Sequence, residues 1–202
     1  MLNLYYCNIK NMEQLKQLII KKTGLTDNHF EQLYSFMTQI WIDKNDCLIA
    51  PGRVCDFIGF VNSGILRYYI DKGGAEFNID FHLPGSFASA YSSFLTQKPA
   101  IGYLQALEQT ELFILKKEKY EELLKASDDW YKLAKYISDD YFLRKCKRQT
   151  SLLTDSAKDR FDLLLNTYPK IEQLVPQYHI ASYLGIKPES LSRIKSLTYI
   201  KK

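Results

Sequence analysis

The spacing of apolar residues changes period twice along this chain. Between residues 12 and 40, Leu15, Leu18 and Ile19 recur at helical spacing. Thr26-Asp27 is placed to cap a second helix carrying Phe30, Leu33, Phe36 and Met37. From Ile40 short apolar runs take over: Cys47–Ala50, Phe57–Val61, Ile65–Ile70 and Phe77–Phe81. Turn signals separate them at Pro51-Gly52, Asn62-Ser63-Gly64, Lys72-Gly73-Gly74 and Pro84-Gly85. Each run is too short for a stable helix, and their spacing predicts a compact antiparallel sandwich or jelly-roll barrel. Two further strands fit Tyr103–Leu107 and Glu111–Leu115.

The helical period returns from Lys116, through Tyr120, Leu123 and Leu124, and then over a long segment from Asp128 to Ser151. Leu133, Ile137, Tyr141 and Arg144 fall there on one stripe, beside Trp130 and Ala134, and no Gly or Pro occurs from 117 to 168. So long a helix with so narrow a seam predicts packing on a second copy of the chain rather than on its own sandwich.

After Pro169 comes HIASYLGIKPESLSRIKS, residues 179–196. Ile180, Leu184, Ile186, Leu191 and Ile194 are the apolar positions that two steeply crossing helices bury against each other, and Ala181 is small where the second helix approaches. Gly185 marks the sharp turn, Pro188 suits the first turn of the second helix, and Glu189 complements its dipole. This is the internal logic of a helix-turn-helix. Burying the apolar set leaves Glu189, Ser192 and Arg193 for base edges, Arg193 by a bidentate contact to guanine and Glu189 by accepting from a cytosine amine. Gln177, Tyr178, His179, Lys187 and Ser190 are suited to phosphate oxygens.

Charge distribution sharpens that reading. Residues 1–143 hold 15 basic and 18 acidic side chains, for −3, whereas residues 144–202 hold 12 and 5, for +7. An acidic front and a basic back suit a sensing part followed by one that meets a polyanion. At 202 residues and 46% hydrophobic content the chain suits one large domain or two small ones. It has no run long enough to span a membrane and no signal-peptide layout, so a cytoplasmic location is expected, with no membrane partner. Cys7, Cys47, Cys55 and Cys146 are scattered without a C-x-x-C pair, and His29, His82 and His179 have no ligand spacing. Free, mostly buried thiols and no metal are expected.

Ile180 to Ile194, preceded by Ala157-Lys-Asp-Arg160-Phe and Leu174-Val-Pro, resembles the C-terminal region of Crp/Fnr-type bacterial transcription regulators, in the form common in Bacteroidetes. Val61-Asn-Ser-Gly-Ile-Leu-Arg-Tyr-Tyr is similar to the strand–turn–strand of that family's cyclic-nucleotide-binding-type β-roll, and Phe81-His-Leu-Pro-Gly-Ser-Phe to the approach to its phosphate cassette. The resemblance implies an α+β protein in three parts. These are an antiparallel, jelly-roll-like β-roll sensor domain with flanking helices over 1–127, a dimerisation helix over 128–152, and a helix-turn-helix domain over 153–202. It implies a homodimer on a palindromic operator in double-stranded DNA, acting with RNA polymerase.

The cassette departs from the family's cyclic-AMP binders, which carry Gly-Glu for the ribose and Arg beside Ser or Thr for the phosphate. Ala90 stands where the Glu belongs and Ala100-Ile101 where the Arg pair belongs. A buried phosphate needs a cation and several donors, so cyclic AMP is not expected as effector. The candidate pocket residues are Gly85, Ser86, Ser89, Tyr91, Ser92 and Ser93, for another ligand or for a pocket filled by its own side chains. Cys7 alone near the N-terminus does not supply an iron–sulfur ligand cluster, and His82 is the one heme candidate near the pocket. No cofactor is expected beyond an unidentified small effector.

An enzyme is not expected: G-x-S-x-G, H-E-x-x-H and phosphate-loop glycine patterns are missing, and Ser192-Arg-Ile-Lys195 matches S-x-x-K only inside the recognition helix. A second reading is a ligand-binding signalling module with a weak DNA-binding tail, since eight residues after Ile194 leave little room for a wing strand.

Overall fold

The computed structural model describes residues 12–199. Two helices come first, α1 (Glu13–Thr23) and α2 (Asp27–Phe36). The backbone N–H of Thr26 donates to His29 Nδ1 at 3.2 Å, closing the first turn of α2. The eight strands are β1 (Met37–Ile42), β2 (Cys47–Ile49), β3 (Phe57–Ser63), β4 (Leu66–Lys72), β5 (Ala75–His82), β6 (Phe87–Ala88), β7 (Tyr103–Ala106) and β8 (Thr110–Lys116). A short α3 (Tyr91–Thr96) lies between β6 and β7. The chain then turns helical: α4 (Lys117–Ala126), α5 (Trp130–Thr154), α6 (Ala157–Thr167), α7 (Ile171–Leu174), α8 (Gln177–Leu184) and α9 (Pro188–Tyr199).

The strands form two antiparallel four-stranded sheets, β1-β8-β3-β6 and β2-β7-β4-β5, which makes the predicted jelly-roll-like β-roll. Met37 belongs to β1 and not to a helix, pairing with Leu115. β1 is an edge strand whose residues are mostly half-exposed or exposed, so it lacks the continuous apolar run that marks β3 and β8. At the β3–β4 turn Gly64 has φ +83°, and a Cβ there would stand 2.5 Å from the Cα of Thr110. That contact and the left-handed backbone both require glycine.

Sheet register divides sheet two into two faces. Leu66, Tyr68, Leu104 and Ala106 point inward, while Arg67, Phe81 and Gln105 face the helices that follow. Two apolar cores result. The first fills the roll and the layer beneath α1, α2, α4 and the N-terminal half of α5. The second joins Ile65 and Phe81 of the roll to Phe161, Leu164, Tyr168, Ile180, Tyr183, Leu184 and Leu191 of the C-terminal helices.

The long helix differs from expectation in which way it faces. Leu133 and Ile137 are buried in the first core, the Tyr141 hydroxyl donates to Phe87 O at 3.1 Å, and Arg144 holds Asp80 through both carboxylate oxygens at 2.8 and 2.7 Å. The seam Leu133, Ile137, Tyr141, Arg144 therefore docks α5 on its own β-roll and is not free to meet a second copy. A narrow stripe says only that one side of a helix is covered, not by what. The exposed large apolar residues of α5 are Tyr131, Phe142, Leu143 and Leu153. Tyr131, Phe142 and Leu153 recur every eleven residues, close to three turns, so they share the face opposite the docked seam, with Cys146 beside them.

Candidate nucleic-acid interface and ligand cavities

The two helices of the motif form as their residues dictate. Gly185 ends α8 in the left-handed region at φ +67°, and the N–H of Ile186 donates back to Ala181 O at 3.0 Å. α9 starts at Pro188, with the carbonyl of Lys187 accepting from Ser190 and Leu191 N–H at 3.0 and 3.2 Å. Leu191 is buried against α8, Ile194 packs beside it, and Lys195 pairs with Glu172 of α7 at 2.8 Å. Lys187, Glu189, Ser192 and Arg193 are exposed on the outer face, and Ser190 is half-buried. Their side chains make no hydrogen bond or ion pair among the described residues, which leaves this edge of α9 open to a ligand. Gln177 and Tyr178 are exposed at the start of α8.

His179 sits elsewhere than expected. It is 4% exposed and points into sheet two, where its Nδ1 accepts from Arg67 Nη1 at 2.9 Å and lies 3.3 Å from Asn78 Nδ2. Two donors on Nδ1 fix it as the unprotonated nitrogen, and burial followed by the neighbouring Arg67 charge pushes the imidazole down to about 4. His179 is thus a structural link and not a phosphate ligand. Around it, Arg67 Nη1 donates to Glu76 at 2.6 Å, and Gln105 accepts from Arg67 Nε and Nη2. Ser182 Oγ donates to Glu76 O at 2.7 Å and accepts from Asn78 N–H at 3.0 Å. The sequence signal is Arg67 itself, a charge within the otherwise apolar run Ile65–Ile70.

The cassette residues are also placed differently from the expected pocket. Ser89 Oγ donates to Phe57 O at 2.9 Å, Ser93 Oγ accepts from Cys55 N–H at 3.0 Å, and Ser86 Oγ donates to Leu83 O at 2.7 Å. Tyr91 stacks on Tyr141 with ring centroids 4.4 Å apart, Ser92 is exposed, and Gly85 is a turn residue at φ +85°. The serines satisfy backbone groups of β3 and the adjacent loops, and Tyr91 braces the cassette against α5. None of the six lines either cavity described here. His82 is buried, its Nδ1 donating to Phe87 O at 2.9 Å, and burial pushes it down to about 4. It is a core residue rather than an exposed ligand.

One cleft, of about 510 Å³, opens at the mouth of the roll between Ile40, Leu48, Ile49, Phe57 and Ile114, with Arg53 at its rim. Sequence reasoning missed it because its walls come from four separate strands and carry no motif. Ala100 lies beside it in the backbone, accepting from Gly52 N–H at 2.9 Å and donating to Arg53 O at 2.8 Å. Among the described residues Cys55 is buried, Cys47 exposed and Cys146 half-buried, so buried thiols are not the rule; Cys7 lies outside them. No cluster of three metal-ligating side chains occurs among the described residues, and no described helix is long and apolar enough to cross a membrane.

Residues 39–127 match the family model of the cyclic nucleotide-binding domain. The structure of FixK2 from Bradyrhizobium japonicum aligns with a TM-score of 0.70 at 18% identity, over 82% of this chain and 85% of that one. The c-di-GMP responsive global regulator CLP of Xanthomonas campestris aligns at 0.67 and 16%, over 87% and 93%. A putative transcriptional regulator of the crp/fnr family from Eubacterium rectale aligns at 0.64 and 17%, over 88% and 85%. The curated proteins compared give no match. At these identities the likeness establishes the fold.

Proposed function

This chain joins a cyclic nucleotide-binding domain to the fold of Crp/Fnr regulators, and from that premise we propose that it is a sequence-specific DNA-binding transcriptional regulator acting as a homodimer. The observation that carries the reading is the open outer edge of α9, where Glu189, Ser192 and Arg193 stand exposed and unpaired behind the Gly185 turn. A helix presented this way fits the major groove, with Lys187, Gln177 and Tyr178 placed for flanking phosphates.

The dimer forms through Tyr131, Phe142, Cys146 and Leu153 on the free face of α5. Leu153 at 81% and Phe142 at 65% exposure share one face of the helix with Tyr131, and that common face supports a second copy as the cover. Two-fold symmetry then sets two recognition helices on half-sites of a palindrome, and the bound dimer acts on RNA polymerase. A small effector enters the cleft, where Arg53, Asp56 and Lys116 stand beside the apolar wall; cyclic AMP is not that effector, because no carboxylate stands at Ala90 and no arginine at Ala100. Gel shift with genomic fragments tests the reading. Retardation of specific fragments at salt concentrations that release random DNA is expected, and equal retention of all fragments would defeat it.

A further inference from the structure

A second cavity, of about 200 Å³, lies where the C-terminal part of α5 meets α6 and α8. Its polar lining includes Arg144, Lys147, Arg148, Ser151, Arg160 and Asn166, over a floor that includes Leu152 and Leu164, and no carboxylate lines it. Each guanidinium is anchored by some of its donors. Arg144 uses Nε on Asp140 and Nη1 on Asp80, Arg148 uses Nη2 on the carbonyls of Asn78 and Tyr183, and Arg160 uses Nη1 on Asp155 O. The anchoring leaves Arg144 Nη2, Arg148 Nε and Arg160 Nε buried and without an acceptor among the described residues.

An unpaired buried donor is costly, more so when it is charged, and here three of them belong to side chains that line one cavity. Asp80 and Asp140 offset Arg144 and the Asp155 carboxylate interacts with Arg160, but no described acidic side chain forms an ion pair with Arg148 or Lys147. A neutral occupant such as water satisfies hydrogen bonds without offsetting that charge. A carboxylate has two oxygens, whereas several cationic side chains around one cavity, drawn from two helices, suit a tetrahedral group with three free oxygens. We propose that this cavity is a binding site for a small phosphate monoester, its phosphate held by Arg144, Arg148 and Arg160 and its organic part resting on the leucine floor. The site is separate from the cleft at the mouth of the roll and from the outer edge of α9. Its walls come from the long helix and from α6 and α8 of the C-terminal part, so an occupant ties α6 and α8 to α5 and fixes how α9 is presented.

The test uses the full chain without DNA, so that its outcome does not depend on the regulator reading. Thermal unfolding and calorimetry are run with inorganic phosphate and with glycerol 3-phosphate, against sodium chloride at matched ionic strength. Saturable stabilisation is expected, with glycerol 3-phosphate binding more tightly than phosphate. Arg160→Gln should weaken binding by about tenfold, the loss of one charge-assisted contact, and the exposed-site variant Lys147→Gln, which removes a positive charge from the lining, by about threefold. Lys147→Gln guards against a folding defect in the other variant. Stabilisation no greater than that from chloride, or equal affinity in wild type and both variants, overturns the proposal. Displacement of glycerol 3-phosphate by a short random duplex also overturns it, assigning the arginines to the DNA backbone.

Discussion

Lowering the pH should loosen the joint between roll and recognition helices, with His179 as a main cause. Protonation would put a proton on the nitrogen that accepts from Arg67 and Asn78, facing the Arg67 charge with Glu76 as the one offsetting carboxylate. The folded state holds the imidazole near 4, while an unfolded chain returns it to its ordinary 6.5. Between those values the unfolded state binds more protons, so stability is fully present above 6.5 and is lost as pH falls toward 4. For one such histidine the loss between pH 7 and pH 5 is about 2 kcal/mol. His82 has the same displacement from burial, so the pair together account for about 4 kcal/mol over that interval. Staying above pH 5 keeps most carboxylates charged and out of the comparison. The assay is urea unfolding of wild type and His179→Gln at half-unit pH steps. Glutamine keeps a hydrogen-bonding group at the site and cannot titrate, so its stability at pH 7 is lower while its slope with pH is about half that of wild type. Parallel slopes for the two proteins would refute the assignment of His179 as a buried neutral link.

Other substitutions separate the roles proposed for neighbouring residues. Arg193→Ala should cost about 1–3 kcal/mol on a cognate operator and little on scrambled duplex, measured by anisotropy. Lys187→Ala should weaken both duplexes alike and flatten the salt dependence by about one counterion per subunit, and equal losses on both duplexes for Arg193→Ala would remove it from base reading. Phe142→Asp should give folded monomers by sedimentation, whereas Ile137→Asp, which sets a carboxylate in the first core, should lower stability by about 3 kcal/mol or more. Folded monomers from Ile137→Asp would show that the docked seam has been misplaced. Titration calorimetry with cyclic AMP should show no binding, and a dissociation constant in the low micromolar range would show that another cation substitutes for the missing arginine.

Most of the strands and the helix-turn-helix were readable from local pattern, because β3, β4, β5 and β8 alternate or run apolar between turn residues and because Gly185 and Pro188 have few other uses at that spacing. The edge strand β1 was not, since one open side removes the apolar run that would announce it. The face of α5 was misread for a different reason. Tyr141 and Arg144 look like a seam of mixed character, and only the positions of Phe87 and Asp80 in space show that the roll is their partner. Adjacent residues on a helix point about 100° apart, so reading Tyr141 in place of Phe142 turns the helix away from the copy it is proposed to meet. His179 was assigned to the surface because its neighbours Gln177 and Tyr178 are polar and exposed, yet its partners lie more than a hundred residues earlier in the chain. The cavity between α5, α6 and α8 has the same character: its arginines are spread over seventeen positions and converge only on folding.

The second core bears on modularity. Ile65 and Phe81 belong by sequence to the roll but lie in the same apolar cluster as the recognition helices, with the Phe81 ring 5.4 Å from that of Tyr183 and 6.0 Å from that of Tyr168. A cut in the chain before α6 is therefore not a cut between cores. Residues 153–202, transplanted onto an unrelated sensor, would leave Tyr168, Tyr183 and Leu184 facing water in place of a sheet. A working chimera would have to carry the outer surface of β4 and β5 with it, because the C-terminal helices and that face of the roll are two halves of one core.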